Sequence, residues 1–272
     1  GFTMKHLFSS IILSVLFSGL TFASTDNTIV QTTEHGIKGV IQTHNDGKDQ
    51  SPNLQSDSSP IQFSITNKMQ GIVSASIQYK GNFYFLSLDQ NKKLVKISGI
   101  DATKQPLVNT QALQTDIKDM LHHAKLNGSA IMKSQSTLDQ QSKLVLLKFF
   151  EFLSTYPLGE AIEQEVTRDF SAQGWTDLCP YMGYSRTAVW DVNDSNVKTR
   201  SYIVGGHGFC AARCGAGCPM FGDGQYTQDC LNHDACADVE GEQLGVCSDE
   251  WSAASDDFWF SPDCTTSPSS LR

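Results

Sequence analysis

All eight cysteines of this chain fall between Cys179 and Cys264, and that crowding limits the fold more than any other feature. An even number of cysteines packed into one end of a chain argues for a crosslinked domain made in an oxidising compartment. The cysteine-free remainder has to build its core from apolar side chains alone, and 272 residues suggest two domains. Composition shifts near Gln173-Gly174-Trp175, where cysteines begin; lysines end soon after, at Lys198. The boundary is set there, between residues 60–172 and residues 173–272.

The N-terminal end agrees with the compartment. Met4-Lys5-His6 leads into an apolar run from Leu7 to Phe22 that closes on Thr21-Phe22-Ala23. This is the pattern of a secretory signal over residues 1–23, giving a secreted or periplasmic protein. A membrane anchor is the competing reading, but the run is short and interrupted by serines. Residues 24–59, rich in Ser, Thr, Asn, Asp and Gln, read as a flexible leader.

From Ile61 the pattern alternates, through Ile61, Phe63 and Ile65, then Ile72 to Tyr79, then Phe83, Phe85 and Leu88, then Leu94, Val95 and Ile97. Lys80-Gly81-Asn82 and Gln90-Asn91 supply turns, so a short antiparallel meander is expected. Leu113, Ile117, Met120 and Leu121 then take helical spacing, with an end at Asn127-Gly128. A longer, largely apolar helix follows over Thr137 to Tyr156, and a third over Glu160 to Phe170. His122 and His123 are sequential and face different ways on a helix, which disfavours a shared metal. Tyr181, Tyr184 and Trp190 fall in a stretch read as irregular, and His207, between two glycines, as a turn histidine.

Charge is uneven. Residues 205 to 272 carry eleven acidic side chains against Arg213 and Arg272, a balance of −9 that equals the net charge of the whole chain. An acidic, cysteine-rich segment disfavours nucleic acid and favours a hard cation. Within it, glycines crowd the run from Cys210 to Gly224, permitting positive φ and letting successive carbonyls turn toward one point. A phosphate loop would need Gly-Lys-Ser or Gly-Lys-Thr opening a helix, and this run has no lysine.

Cys230-Leu231-Asn232-His233-Asp234-Ala235-Cys236 follows. On a helix His233 and Asp234 point about 100° apart, so they serve one cleft with separate tasks. Cys230, His233 and Cys236 form one stripe in which two crosslinks would hold the histidine. The same three residues could instead ligate zinc, but their spacing is tighter than usual zinc pairs and the signal favours disulfides.

Cys214-Gly215-x-Gly217 followed by Cys230-x-x-His233-Asp234-x-Cys236 resembles the calcium loop and catalytic helix of secreted phospholipases A2. The resemblance covers only this part of the C-terminal segment. It implies that the backbone carbonyls of Arg213, Gly215 and Gly217 and the carboxylate of Asp234 hold Ca²⁺, and that His233 is the general base acting on water. It also implies bridges Cys214–Cys230 and Cys236–Cys247, leaving Cys179, Cys210, Cys218 and Cys264 for two more in an order it does not give. A further aspartate on a second helix would orient His233; Asp249 is the nearest match, with Asp257 as the alternative. Arg213 stands where the family has an aromatic residue, tolerable if only its carbonyl is used, and Cys218 replaces a loop glycine.

The expected fold class is therefore α+β, a small N-terminal antiparallel sheet with helices followed by a disulfide-rich, mainly α domain of phospholipase A2-like kind. The implied function is calcium-dependent hydrolysis of a phospholipid acyl ester at a membrane or micelle surface. The alternative is a secreted, non-catalytic, disulfide-rich binding module that keeps the fold.

Overall fold

The computed structural model describes residues 28–43, 59–69, 71–134, 140–168, 177–192, 196–218, 224–241 and 245–264. The signal at residues 1–23, Trp175 and the 172/173 boundary lie outside them. Seven antiparallel strands form one sheet in chain order: β1 (Thr28–Thr33), β2 (Gly36–Ile41), β3 (Ile61–Met69), β4 (Ile72–Tyr79), β5 (Asn82–Asp89), β6 (Leu94–Ile100) and β7 (Glu163–Thr167). Cross-strand pairs such as Ile65↔Ala75, Ile77↔Tyr84, Leu86↔Ile97 and Val95↔Val166 set the register. All of these residues are buried, so a one-residue slip would turn each apolar row toward water. Lys80 (φ 47°) and Gly81 (φ 77°) make the tight turn between β4 and β5 with the left-handed pair that suits a two-residue hairpin.

Two expectations are corrected in this sheet. Residues 28–41, inside the stretch read as a flexible leader, supply β1 and β2; their polar composition hid an apolar side formed by Ile37 and Ile41, both fully buried. Residues 163–167, read as helix, pair with β6 instead, because Ile162 and Val166 have a core to cover on that edge. The sheet is thus larger than the small meander expected.

Between β6 and β7 the chain forms α1 (Gln111–Lys133) and α2 (Gln140–Ser154). Thr110 caps α1 by accepting the Leu113 N–H. The helix runs past Asn127-Gly128, where a stop was expected, because Asn127 Nδ2 donates to the His123 carbonyl and Gly128 is buried. Both helices pack on the sheet and on each other.

The C-terminal segment holds a hairpin of β8 (Ser185–Trp190) and β9 (Lys198–Ile203), in place of the irregular stretch expected, then α3 (Gln228–Glu240) and α4 (Ser248–Phe260). Thr227 caps α3 by accepting the Cys230 N–H, and Gly241, with φ 76°, closes it. Four disulfides, Cys179–Cys264, Cys210–Cys218, Cys214–Cys230 and Cys236–Cys247, use every cysteine. Zinc held by Cys230 and Cys236 thiolates is thereby ruled out.

The main core runs through both halves of the chain. Phe152 of α2 lies 5.2 to 5.3 Å, ring to ring, from Trp251, Phe258 and Trp259 of α4. These residues share one buried cluster with the sheet and with Cys214 and Cys230. Trp251 Nε1 also donates to Thr155 Oγ1 at 3.2 Å. A second cluster joins the β8–β9 hairpin to the opposite side of α3. Among the described residues no helix is long and apolar enough to cross a membrane.

Candidate functional site

The glycine loop is pinned to α3 at several points. The Cys214–Cys230 disulfide joins them covalently. Cys214 N donates to the Gln225 carbonyl and Thr227 N to the Ala212 carbonyl, a short antiparallel bridge just before the helix. Asp234 Oδ2 accepts the Ala212 N–H at 2.8 Å. Ala212 (φ 74°) and Cys210 (φ 57°) sit in the left-handed region that side chains disfavour. Such strain persists where surrounding bonds hold it, and here the Cys210–Cys218 bridge and the Thr227 contact do so.

His233 and Asp234 line one cleft of about 450 Å³. Its far walls come from the N-terminal half, with Lys118 and Leu121 on α1 and Phe152 on α2, and from α4 through Trp251, Ala254 and Phe258. The opening is therefore walled mostly by apolar and aromatic side chains around a few polar groups, the usual makeup of a small-molecule site. Burial drives the Asp234 carboxyl well above the ordinary carboxylate range, and Asp238 adds to it; the Ala212 N–H and the Arg213 charge act in the opposite direction.

Neither carboxylate expected to orient His233 lines this cleft. The cleft side of α4 is formed by Cys247, Ser248, Trp251, Ala254, Ser255 and Phe258. Asp249 is exposed and clusters with Asp191 and Glu250. Asp257 is buried at the other end of α4, its carboxyl pushed up to about 7 by burial, against the lowering influence of the nearby Thr227 and Ser261 hydroxyls. The helical period explains both: positions 249 and 257 fall off the stripe 247, 251, 254, 258. His207 closes a turn, its Nε2 accepting the Ile203 N–H at 2.9 Å.

One carbonyl of the donor set expected for calcium, that of Gly217, is already engaged by a cation of the chain itself. Arg213 Nη1 donates to the Gly217 carbonyl at 2.7 Å, and the guanidinium makes two bonds to Glu151, Nη1 to Oε1 at 2.5 Å and Nη2 to Oε2 at 3.2 Å. The Arg213 side chain is only 7% exposed. Gly215, at φ 112°, cannot carry a side chain here, since a Cβ would fall 2.7 Å from Glu151 Oε1. Calcium would have to sit against a buried guanidinium that holds one of its carbonyl ligands, while one oxygen of its single carboxylate is spent on Ala212. As arranged, these residues do not fit the ion. The Arg213 side chain, and not only its carbonyl, thus takes part in the bonding of the loop.

Glu151 was not among the expected site residues, although the sequence marks it. In the run Leu144 to Leu153 only Lys148 and Glu151 are charged. Charged groups on an otherwise apolar helix need partners, and Glu151 finds one in the loop.

Residues 173–270 match a family model described as a domain of unknown function (DUF8213). No curated protein and no solved structure matches the chain.

Proposed function

We propose that the protein is a phospholipase A2-like hydrolase that cleaves an acyl ester of a lipid, with His233 taking a proton from the attacking water. One observation carries the reading: His233 and Asp234 open on a single apolar-walled cleft while their helix is bolted to the glycine loop by Cys214–Cys230. The apolar walls suit an acyl chain, and a histidine in the cleft lining suits general-base work. Water adds its oxygen to the ester carbon, the proton passes to His233, and it leaves with the alcohol as the acid is released. Positive charge beside the loop comes from Arg213, in the wall of the same cleft, rather than from calcium.

The test is release of fatty acid from mixed phosphatidylcholine and phosphatidylglycerol vesicles by the full chain, with calcium and with a chelator. Release should persist with the chelator and drop by about 10²- to 10⁴-fold in His233→Gln, the usual weight of a general base. Equal rates in wild type and His233→Gln would end the proposal.

A second reading, a binding module without turnover, is favoured by one fact: Asp249, the aspartate matched to the orienting role, is exposed and clusters with Asp191 and Glu250. It requires vesicle binding with no release at any calcium concentration.

A further inference from the structure

On the other side of Arg213 lies a second cavity, about 400 Å³, bounded by the turn after β5, by α1 and α2, by the glycine loop and by the end of α4. Its volume is within the range of small-molecule sites. Leu121, Arg213, Cys214 and Phe258 form the partition between it and the His233 cleft. In a chain of net charge −9, its ionisable lining is Lys93, Lys125, Lys148 and Arg213 against Glu151 and Asp263.

Most of these charges have partners. Arg213 and Glu151 hold each other, Asp263 accepts from Gln225 Nε2 at 2.6 Å, and Lys125 Nζ donates to the Ala216 carbonyl at 3.3 Å. Lys148 differs. Among the described residues the Lys148 ammonium has no hydrogen bond or ion pair, only the rings of Phe258 at 4.9 Å and Trp259 at 5.9 Å. Burial lowers it to about 8, while Asp263 and Glu151 favour its charge and Arg213 opposes it. Lys148 is half-buried, and an ammonium partly withdrawn from water without an acceptor is costly; an anion relieves that cost. Around it the wall is apolar, through Leu88, Leu144, Leu147 and the two rings.

We propose that this cavity binds an amphiphilic anion, a single carboxylate or phosphate head on an aliphatic tail, with the head on Lys148 and the tail along the leucine and aromatic wall. The site is separate from His233 and stands whether or not the cleft hydrolyses a lipid. A competing account has Lys148 merely lay its stem over the rings to reach water. That account gives no dependence on the head group.

The experiment uses the full chain with oleate, oleoyl lysophosphatidate and oleyl alcohol, each below its critical micelle concentration, read by tryptophan fluorescence and by melting temperature. At least one anion should bind roughly tenfold or more tighter than the alcohol, and the tighter of the two identifies the head. Lys148→Met should weaken the anion by roughly ten- to hundredfold, as loss of a charged hydrogen bond does, and leave the alcohol unchanged. Anion affinity should also fall above pH about 8 as Lys148 loses its proton. Methionine fills similar space against the rings, and the unliganded melting temperature checks that the variant folds; Lys148→Arg should retain selectivity for the anion. Equal affinity for all three ligands, no binding of any, or an unchanged anion in Lys148→Met overturns the proposal.

Discussion

Arg213 Nη1 lies 2.5 Å from Glu151 Oε1, although 62 residues separate them along the chain. This contact ties the glycine loop of the cysteine-rich segment to a helix of the cysteine-free half. Both side chains are largely withdrawn from water, at 7% and 13% exposure. A buried pair gives little net stability over an apolar replacement, but a broken one is expensive.

Glu151→Leu should therefore cost about 3–5 kcal/mol by leaving Arg213 unpaired. Glu151→Leu combined with Arg213→Met should recover much of that loss, because no charge is then stranded. Urea denaturation of the two variants decides the matter, and a double variant as unstable as the single one would contradict the assignment.

Calcium at about 1 mM should leave the melting temperature unchanged, since a ligand stabilises the fold only where its dissociation constant is about that concentration or tighter. Asp234→Asn supplies the control, keeping an acceptor for the Ala212 N–H while removing the carboxylate. A calcium-dependent rise in melting temperature that vanishes in Asp234→Asn would return the ion to the loop.

Asp257 sets a pH dependence. Its carboxyl is raised from 3.8 to about 7, mainly by burial and further by Asp256 and Asp229, with Thr227 and Ser261 pulling it down. The folded state thus holds a proton that the unfolded chain releases, so stability present at low pH is lost as pH rises between these values. Glu250, also raised to about 7, acts with the same sign. Asp257→Asn should flatten the stability profile from pH 4 to 7, as followed by chemical denaturation; a slope as steep as wild type would exclude Asp257 as its source.

Phe152→Ala tests whether the halves share one core. Truncating a buried phenylalanine costs about 3–5 kcal/mol, and here the ring touches three aromatics of α4. Near-ultraviolet and far-ultraviolet dichroism should move together to a lower midpoint. Two separated transitions, with only one shifted, would mean that the halves unfold independently.

The parts of the molecule legible in the sequence are those whose signal is local. The alternation from Ile61 to Ile97 gives the central strands, and the spacing of Cys230, His233 and Cys236 gives α3 and its crosslinks. The pairings Cys214–Cys230 and Cys236–Cys247 came through the family resemblance and match the bonds observed. What escaped depends on distant partners. Strand β1 is polar in sequence and takes its place from β2; β7 is too short to declare itself without β6. Asp249 is the nearest match to the family pattern, but its offset from Cys247 is one residue longer than that pattern; one residue on a helix turns a side chain by about 100°, and Asp249 is exposed and outside the cleft lining. Arg213 looked harmless because nothing near it in sequence shows that Glu151 awaits it.

The Cys179–Cys264 bond joins residues 85 apart and encloses the other three disulfides. A peptide bond cut between Cys218 and Gly224 would therefore release nothing: the two pieces remain joined through Cys214–Cys230 as well as through the outer bond. Such nicked molecules migrate as one species until a reductant is added. Intactness of this segment must be judged on reduced samples, and a nick in the loop becomes a way to alter the site without losing either half of it.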